Sequence, residues 1–326
     1  MTEVTRRTLL AASGLGAAAA ALPPVVTPAA ATAPTAGQQL PGVYRYKVGS
    51  YELTALHDGT WYRPIDDKFV KNAAWADVQK ALADNFLPTD KLPIPFTALL
   101  VNTGAKLVLI DTGTAGQLAP TAPGIALSLA AAGVDPKAID IILISHFHPD
   151  HINGIKTKEG QRVFPNAEIN IPAPEWAFWM DDAQLAKAPE AGRPAFLNVR
   201  RIFNDIAKDL KHFEPGGEVA PGITSIAAHG HTPGHTAFAV ASGNQSMLVL
   251  GDTTSHPWLF ARNPEWQAII DVDGPMAAET RKRLLDRAAA DKMLVQGYHF
   301  PFPASGYITR RGTGYDVVPV MWQPAL

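Results

Sequence analysis

The chain has 326 residues, with 28 basic and 30 acidic side chains, a net charge of −2 and no cysteine. That balance offers no basic stripe to follow a phosphate backbone, which argues against nucleic acid as a partner. It also removes disulfides and thiolate ligands, so a metal centre here must use nitrogen and oxygen donors, a set open to Zn²⁺, Mn²⁺, Co²⁺ or Fe²⁺.

In chain order, the first signal is Thr5-Arg6-Arg7-Thr8-Leu9-Leu10, twin arginines followed by an Ala/Gly-rich apolar run to Leu22. Ala29-Ala30-Ala31 then offers small residues for cleavage, completing the three-part design of an export signal. The run is shorter than the about 20 apolar residues of a membrane span, so no stable span is expected after processing. Residues 1–36 are therefore expected to be a twin-arginine signal and disordered linker. Residues 37–326 are expected to form one exported domain, periplasmic or secreted. No linker interrupts them, and a homodimer is an open alternative to a monomer.

Two β-rich halves follow. Val43 to Leu56 predicts paired strands, and Phe96 to Asp111 a hairpin turning at Asn102-Thr103-Gly104. A helix is expected from Ile125 to Ala132, then a buried strand from Ile139 to Ile144. The segment Ala173 to Lys211 reads as helical, rich in charge and aromatics, and divides the halves. Strands are expected again at Ile223–His229, Phe238–Ala241 and Met247–Gly251, then a helix from about Met276 to Ala290 and a strand from Met293. Periodicity alone supports a layered α/β fold.

Chemistry concentrates where these strands end. Ser145-His146-Phe147-His148-Pro149-Asp150-His151 follows the Ile139 strand and gathers three imidazoles and a carboxylate, the groups that Zn²⁺ and similar cations bind. The neighbours Asp150 and His151 point in different directions, so two adjacent metals suit the motif better than one. A loop of solvated histidines is the ordinary alternative. His235, Asp252 and His299 each stand just beyond another apolar strand. Alone, each could be a structural histidine or a turn aspartate, but their joint placement favours ligands. His231, on the same Pro-Gly turn as His235, is read as structural. Ser145 is read as a strand-end hydrogen bonder. Asp58 and Asp111 could each orient a ligand imidazole or merely stabilise a turn.

The His-x-His-x-Asp-His run, the later histidine, the Gly-Asp pair and the last histidine resemble the metallo-β-lactamase superfamily. Within it the chain looks most similar to the methyl parathion hydrolase family. Pro41-Gly42-Val43-Tyr44-Arg45, Leu99 to Gly104, Lys106 to Gly113 and His229 to His235 carry that similarity. The resemblance implies a four-layer αβ/βα sandwich, two β-sheets face to face with helices outside. It implies that His146, His148 and His235 hold a first divalent ion, Asp150, His151 and His299 a second, and that Asp252 bridges them, with zinc the expected metal. It also implies an aromatic cleft including Trp179 and Phe196; a further family aromatic position falls at Leu118, which departs from it. Trp258, after Asp252, is a candidate for the same cleft.

The expected reaction is hydrolysis. A water shared by the two ions would be acidic enough to give hydroxide near neutral pH, with Asp150 and Asp252 as its carboxylate partners. The absence of an Arg/Lys cluster favours neutral esters with an apolar or aromatic portion over phosphomonoesters. Organophosphate triesters of the methyl parathion type are the first expectation. A lactone or carboxylic ester, such as an acyl-homoserine lactone, is the alternative on the same site. A metal-bearing binding protein with little turnover is the third reading, and a β-lactam substrate ranks below the esters.

Overall fold

The computed structural model describes residues 35–326. The expected export signal, residues 1–36, lies outside the described residues but for its last two positions. From Leu40 to Leu326 the chain packs as one unit.

Fourteen strands form two seven-stranded sheets, each assembled in chain order. The first sheet contains β1 (Val43–Val48), β2 (Tyr51–Pro64), β3 (Lys91–Asn102), β4 (Leu107–Ile110), β5 (Ile141–Leu143), β6 (Glu168–Pro172) and β7 (Leu210–Phe213). The second contains β8 (Glu218–Ala220), β9 (Ile223–Ala227), β10 (Thr236–Ser242), β11 (Gln245–Gly251), β12 (Leu294–Gly297), β13 (Ser305–Arg311) and β14 (Gly314–Pro319). β1 to β4 pair antiparallel, whereas β4 to β7 run parallel. In the second sheet only the β11–β12 pair is parallel. The helices are α1 (Trp75–Ala83), α2 (Ala126–Ala131), α3 (Pro149–Ile152), α4 (Ala173–Trp179), α5 (Asp182–Lys187), α6 (Arg193–Phe203) and α7 (Gly274–Ala290).

The two-residue period of the strands builds the layers. On β3, Leu99 and Val101 enter a core shared with Phe238, Val240 and Val249 of the other sheet. Their neighbours Ala98 and Leu100 turn to the opposite face, among helix residues such as Leu129 and Val199. β11 repeats the pattern. Met247 and Val249 face the first sheet, while Leu248 and Leu250 pack on Leu284, Leu285 and Ala288 of α7. Each such side chain gains about 1.5–3 kcal/mol on full burial. The outcome is helix, sheet, sheet and helix in succession, the four-layer αβ/βα sandwich.

The expected elements are present with shifted ends. α7 starts before Met276, because the Asp273 side chain accepts the Met276 N–H as a cap and Pro275 fits the first turn. The strand expected over Ile139–Ile144 keeps only Ile141–Leu143 in the sheet. The segment between the halves divides into α4, α5 and α6 before β7 begins. Among the described residues, no helix is long and apolar enough to cross a membrane.

Candidate metal centre

Each candidate ligand is delivered where a strand stops. His146 and His148 lie on the loop after β5. Pro149 starts α3, whose short turn carries Asp150 and His151. His231 sits on the turn between β9 and β10, Asp252 directly follows β11, and His299 follows β12. Gly251 makes the turn into Asp252 with φ +52°, and a Cβ there would stand 2.7 Å from His235 Nε2. A side chain at that position would be both strained and obstructed.

The ligating atoms fall into two groups. His146, His148, His231 and Asp252 form one, and Asp150, His151 and His299 the other, each with its atoms within 4.8 Å of one another. Asp252 stands between them. Its Oδ2 is 3.3 Å from His231 Nε2 and 2.9 Å from His299 Nε2, and its Oδ1 is 3.2 Å from His151 Nε2.

Hydrogen bonds outside the clusters decide which ring nitrogens are free. His151 Nδ1 donates to Asp111 at 2.8 Å, His231 Nδ1 to Asp271 at 2.9 Å, and His299 Nδ1 to the Pro95 carbonyl at 2.9 Å. The Ser145 hydroxyl gives its proton to Asp111, so its oxygen accepts from His146 Nδ1 at 3.1 Å. Asp111 and Asp271 thus orient imidazoles of the two clusters, and Ser145 is a hydrogen bonder at a strand end. These contacts turn the Nε2 of each ring inward, where His231 Nε2 faces His148 Nδ1 at 3.0 Å and His299 Nε2 faces Asp252 Oδ2 at 2.9 Å. His146 Nε2, His151 Nε2 and Asp252 Oδ1 are buried there without a hydrogen-bond partner. Buried acceptors facing one another need positive charge, and the donor set fits divalent cations.

Electrostatics points the same way. Burial opposes protonation of His231, yet Asp252 and Asp271 outweigh it and hold its pKa up at about 9. His151 and His299 are raised against burial by their carboxylate neighbours. Burial pushes His148 down to about 3 and His146 well below its usual value. The cluster attracts positive charge that its own imidazoles cannot all carry.

His235 is not where the sequence placed it. Its Nδ1 donates to the Ala228 carbonyl and its Nε2 accepts the backbone N–H of Asp252. A backbone N–H can only donate, so that Nε2 lone pair is used within the protein, and His235 joins neither cluster. His231 stands in its place. Asp58 is also redirected: its carboxylate accepts from the backbone of Thr114 and Gly124 and touches no imidazole of the clusters.

Three supporting groups carried no signal in the sequence. Asp271 accepts from His231 and faces Arg281 of α7 at 3.7 Å. Arg281 is wholly buried and donates to the carbonyls of Thr253, Pro264 and Trp266. Glu175 on α4 is equally buried. It accepts from Phe147 N at 3.0 Å, Gly234 N at 2.7 Å and Trp179 Nε1 at 2.7 Å. Phe147 lies between two candidate ligands and Gly234 on the turn that bears His231, so one carboxylate ties both loops.

A cavity of about 540 Å³ opens over the clusters, with His148, Asp150, Asp252 and His299 among its lining. Its walls include Trp61, Phe69, Leu92, Ile94, Phe96, Leu118 and Phe260. The aromatic residues named from the sequence are elsewhere. Trp179 and Phe196 are not among the residues lining this cavity: they pack on each other at 4.7 Å, with Trp179 edge-on to His148 at 6.1 Å. Trp258 lines a separate cavity with Phe300 and Phe302. The Glu175 bond turns Trp179 inward, whereas β2 and β3, read only as hairpin strands, supply Trp61, Ile94 and Phe96.

The fold and the paired donor clusters define a metallo-hydrolase architecture. The sequence model of the Metallo-beta-lactamase superfamily matches residues 95–292. The chain belongs to that superfamily. It is 26% identical over 213 residues to a probable metallo-hydrolase of Mycobacterium tuberculosis, covering 59% of this chain and 67% of the relative. Among solved structures, the dizinc quorum-quenching lactonase AidC superposes with a TM-score of 0.82 at 28% identity, covering 88% of this chain and 100% of that one. The hydrolase AbOPH of the beta lactamase superfamily gives 0.81 at 28% identity over the same shares.

Proposed function

We propose that the chain is a dinuclear metal-dependent hydrolase of lactones or other carboxylic esters. The observation that carries this is the convergence of five imidazoles and two carboxylates at the base of an apolar cavity, with His146 Nε2, His151 Nε2 and Asp252 Oδ1 buried without a hydrogen-bond partner. His146, His148 and His231 would hold one ion, Asp150, His151 and His299 the other, with Asp252 shared between them. Zinc suits this nitrogen and oxygen set, as would manganese, cobalt or iron. What bound divalent cations supply is Lewis acidity and a water acidic enough to serve as nucleophile near neutral pH.

The chain's own residues do the rest. Asp150 and Asp252 offer carboxylate oxygens to hold or take a proton beside the reacting atoms. Asp111 and Asp271 keep the imidazoles of His151 and His231 in one tautomer. The Tyr298 hydroxyl donates to the Asp150 carbonyl at 2.6 Å and fixes the start of α3. Trp61, Phe69 and Phe96 bind the apolar portion of the substrate and exclude bulk water. Similarity to a lactonase favours a cyclic or open carboxylic ester. The same walls would admit a neutral phosphotriester of the methyl parathion type, which is the second reading.

A rate panel on zinc-loaded protein separates these: an acyl-homoserine lactone, an aryl ester, a dialkyl aryl phosphotriester and a β-lactam. The lactone or aryl ester is expected to show the highest kcat/KM, with activity lost on chelation. A triester turned over faster than both would exchange the two readings, and no turnover of any member would overturn both.

A further inference from the structure

We propose that Arg63 forms an anion subsite in the cleft and that the preferred substrate is an ester whose apolar body ends in a carboxylate. The proposal rests on the hydrolase reading above and names its substrate class. Among the described residues, Arg63 is the only arginine or lysine lining the cavity, whose other walls include Trp61, Phe69, Leu92, Ile94 and Phe96. Its guanidinium carbon lies 5.4 Å from the ring centroids of both Trp61 and Phe69, within cation–π range of each.

Among the described residues, every other arginine gives its guanidinium to a carboxylate, a carbonyl or an amide. Arg200, Arg262, Arg310 and Arg311 pair with aspartates. Arg193, Arg201 and Arg283 donate to the Ala186 carbonyl, the Asn198 side chain and the Ala227 carbonyl. Arg63 makes no such bond; Arg287, exposed on α7, has only Asp291 at 3.9 Å. Asp150 and Asp66 act on it only through space, and its charge persists although burial lowers its pKa. A permanent cation with its N–H groups uncommitted, held between aromatic rings in a substrate cavity, calls for an acceptor brought by the ligand.

The chemistry of that acceptor follows from the surroundings. A single guanidinium fork matches one planar carboxylate in bidentate geometry. With no second arginine or lysine beside Arg63 in the lining, a phosphate dianion at this subsite would keep one charge unpaired against apolar walls. The candidate metal ligands line the same cavity, so a substrate carboxylate on Arg63 would leave them to the ester group. Hydrolysis stays as above: water oxygen bonds to the acyl carbon, the ester C–O bond breaks, and the released oxygen takes a proton.

The test uses zinc-loaded wild type, Arg63→Lys and Arg63→Met. Tryptophan fluorescence measures binding of 4-phenylbutyrate against its neutral amide, 4-phenylbutanamide. The kcat/KM values are compared for an aryl monoester of adipic acid and its methyl-capped twin. Wild type is expected to favour the acid over the amide, and the free-acid ester over its twin, by roughly tenfold or more, as for a charge-assisted hydrogen bond. Both preferences should shrink in Arg63→Lys and collapse toward unity in Arg63→Met. Equal binding of acid and amide by wild type, or a preference surviving in Arg63→Met, would overturn the subsite. An Arg63-dependent binding preference with neither ester hydrolysed would instead overturn the hydrolase reading and leave the subsite standing.

Discussion

His231 and His235 share one turn, but their hydrogen bonds give them opposite tasks. A histidine can ligate only through a nitrogen that its surroundings leave free. The sequence shows two imidazoles around Pro233-Gly234, and nothing in their spacing tells which loses both nitrogens to Ala228 and Asp252. The contiguous run His146 to His151 was legible because its ligands are local to one strand end; the choice within the later turn depends on contacts from β9 and β11. His231→Gln should therefore cost one bound ion per chain by elemental analysis. His235→Gln should keep both ions while lowering stability. The reverse pattern would restore His235 as a ligand.

Asp58 gives a residue-scale test that involves no ligand. Burial raises its pKa to about 6, against hydrogen bonds from Thr114 and Gly124 that favour its charge. The neutral form can be satisfied, because Thr114 Oγ can give its proton to the Ala122 carbonyl and accept one from Asp58. With the folded pKa above the unfolded one, the native state binds the extra proton. Stability from this group is thus present below about pH 4 and lost as pH rises through about 6. The stability difference between wild type and Asp58→Asn should be largest near pH 4 and shrink by about 2–3 kcal/mol at pH 7. A difference that grows with pH in urea titrations would contradict this.

At the scale of elements, strands that stop are the devices that place the site, and α4 braces them. β5, β11 and β12 were recognisable as apolar runs ending in polar residues, but which side chains face which layer was not, because runs such as Leu99-Leu100-Val101 of β3 are apolar on both faces. The role of α4 was not, because Glu175 reads as an ordinary helical glutamate until its three N–H donors are in place. The aromatic residues of α4 and α6 were misplaced for a related reason. A side chain's face on a short helix is set by what it packs on, here Phe196 against Trp179. Glu175→Gln should put an amide N–H against a backbone N–H and lower stability by about 2–4 kcal/mol in urea unfolding. It should also weaken retention of the ion held by His146, His148 and His231 in a chelator competition. Wild-type retention and stability would show that α4 does not brace the two loops.

For the whole molecule, two sheets bring ligands from both halves of the chain to one place, and the superfamily resemblance made that arrangement legible in advance. The cleft was less so: its walls come from β2, β3 and the segment after β11, where aromatic residues also serve as core. The central claim is that this junction holds two ions. It is tested most directly by elemental analysis of the folded protein saturated with zinc and freed of excess. Wild type is expected to hold two ions per chain, His299→Ala one, and Asp252→Ala is expected to lose both or nearly all activity. A single ion in wild type, with His299→Ala leaving that number unchanged, would contradict it.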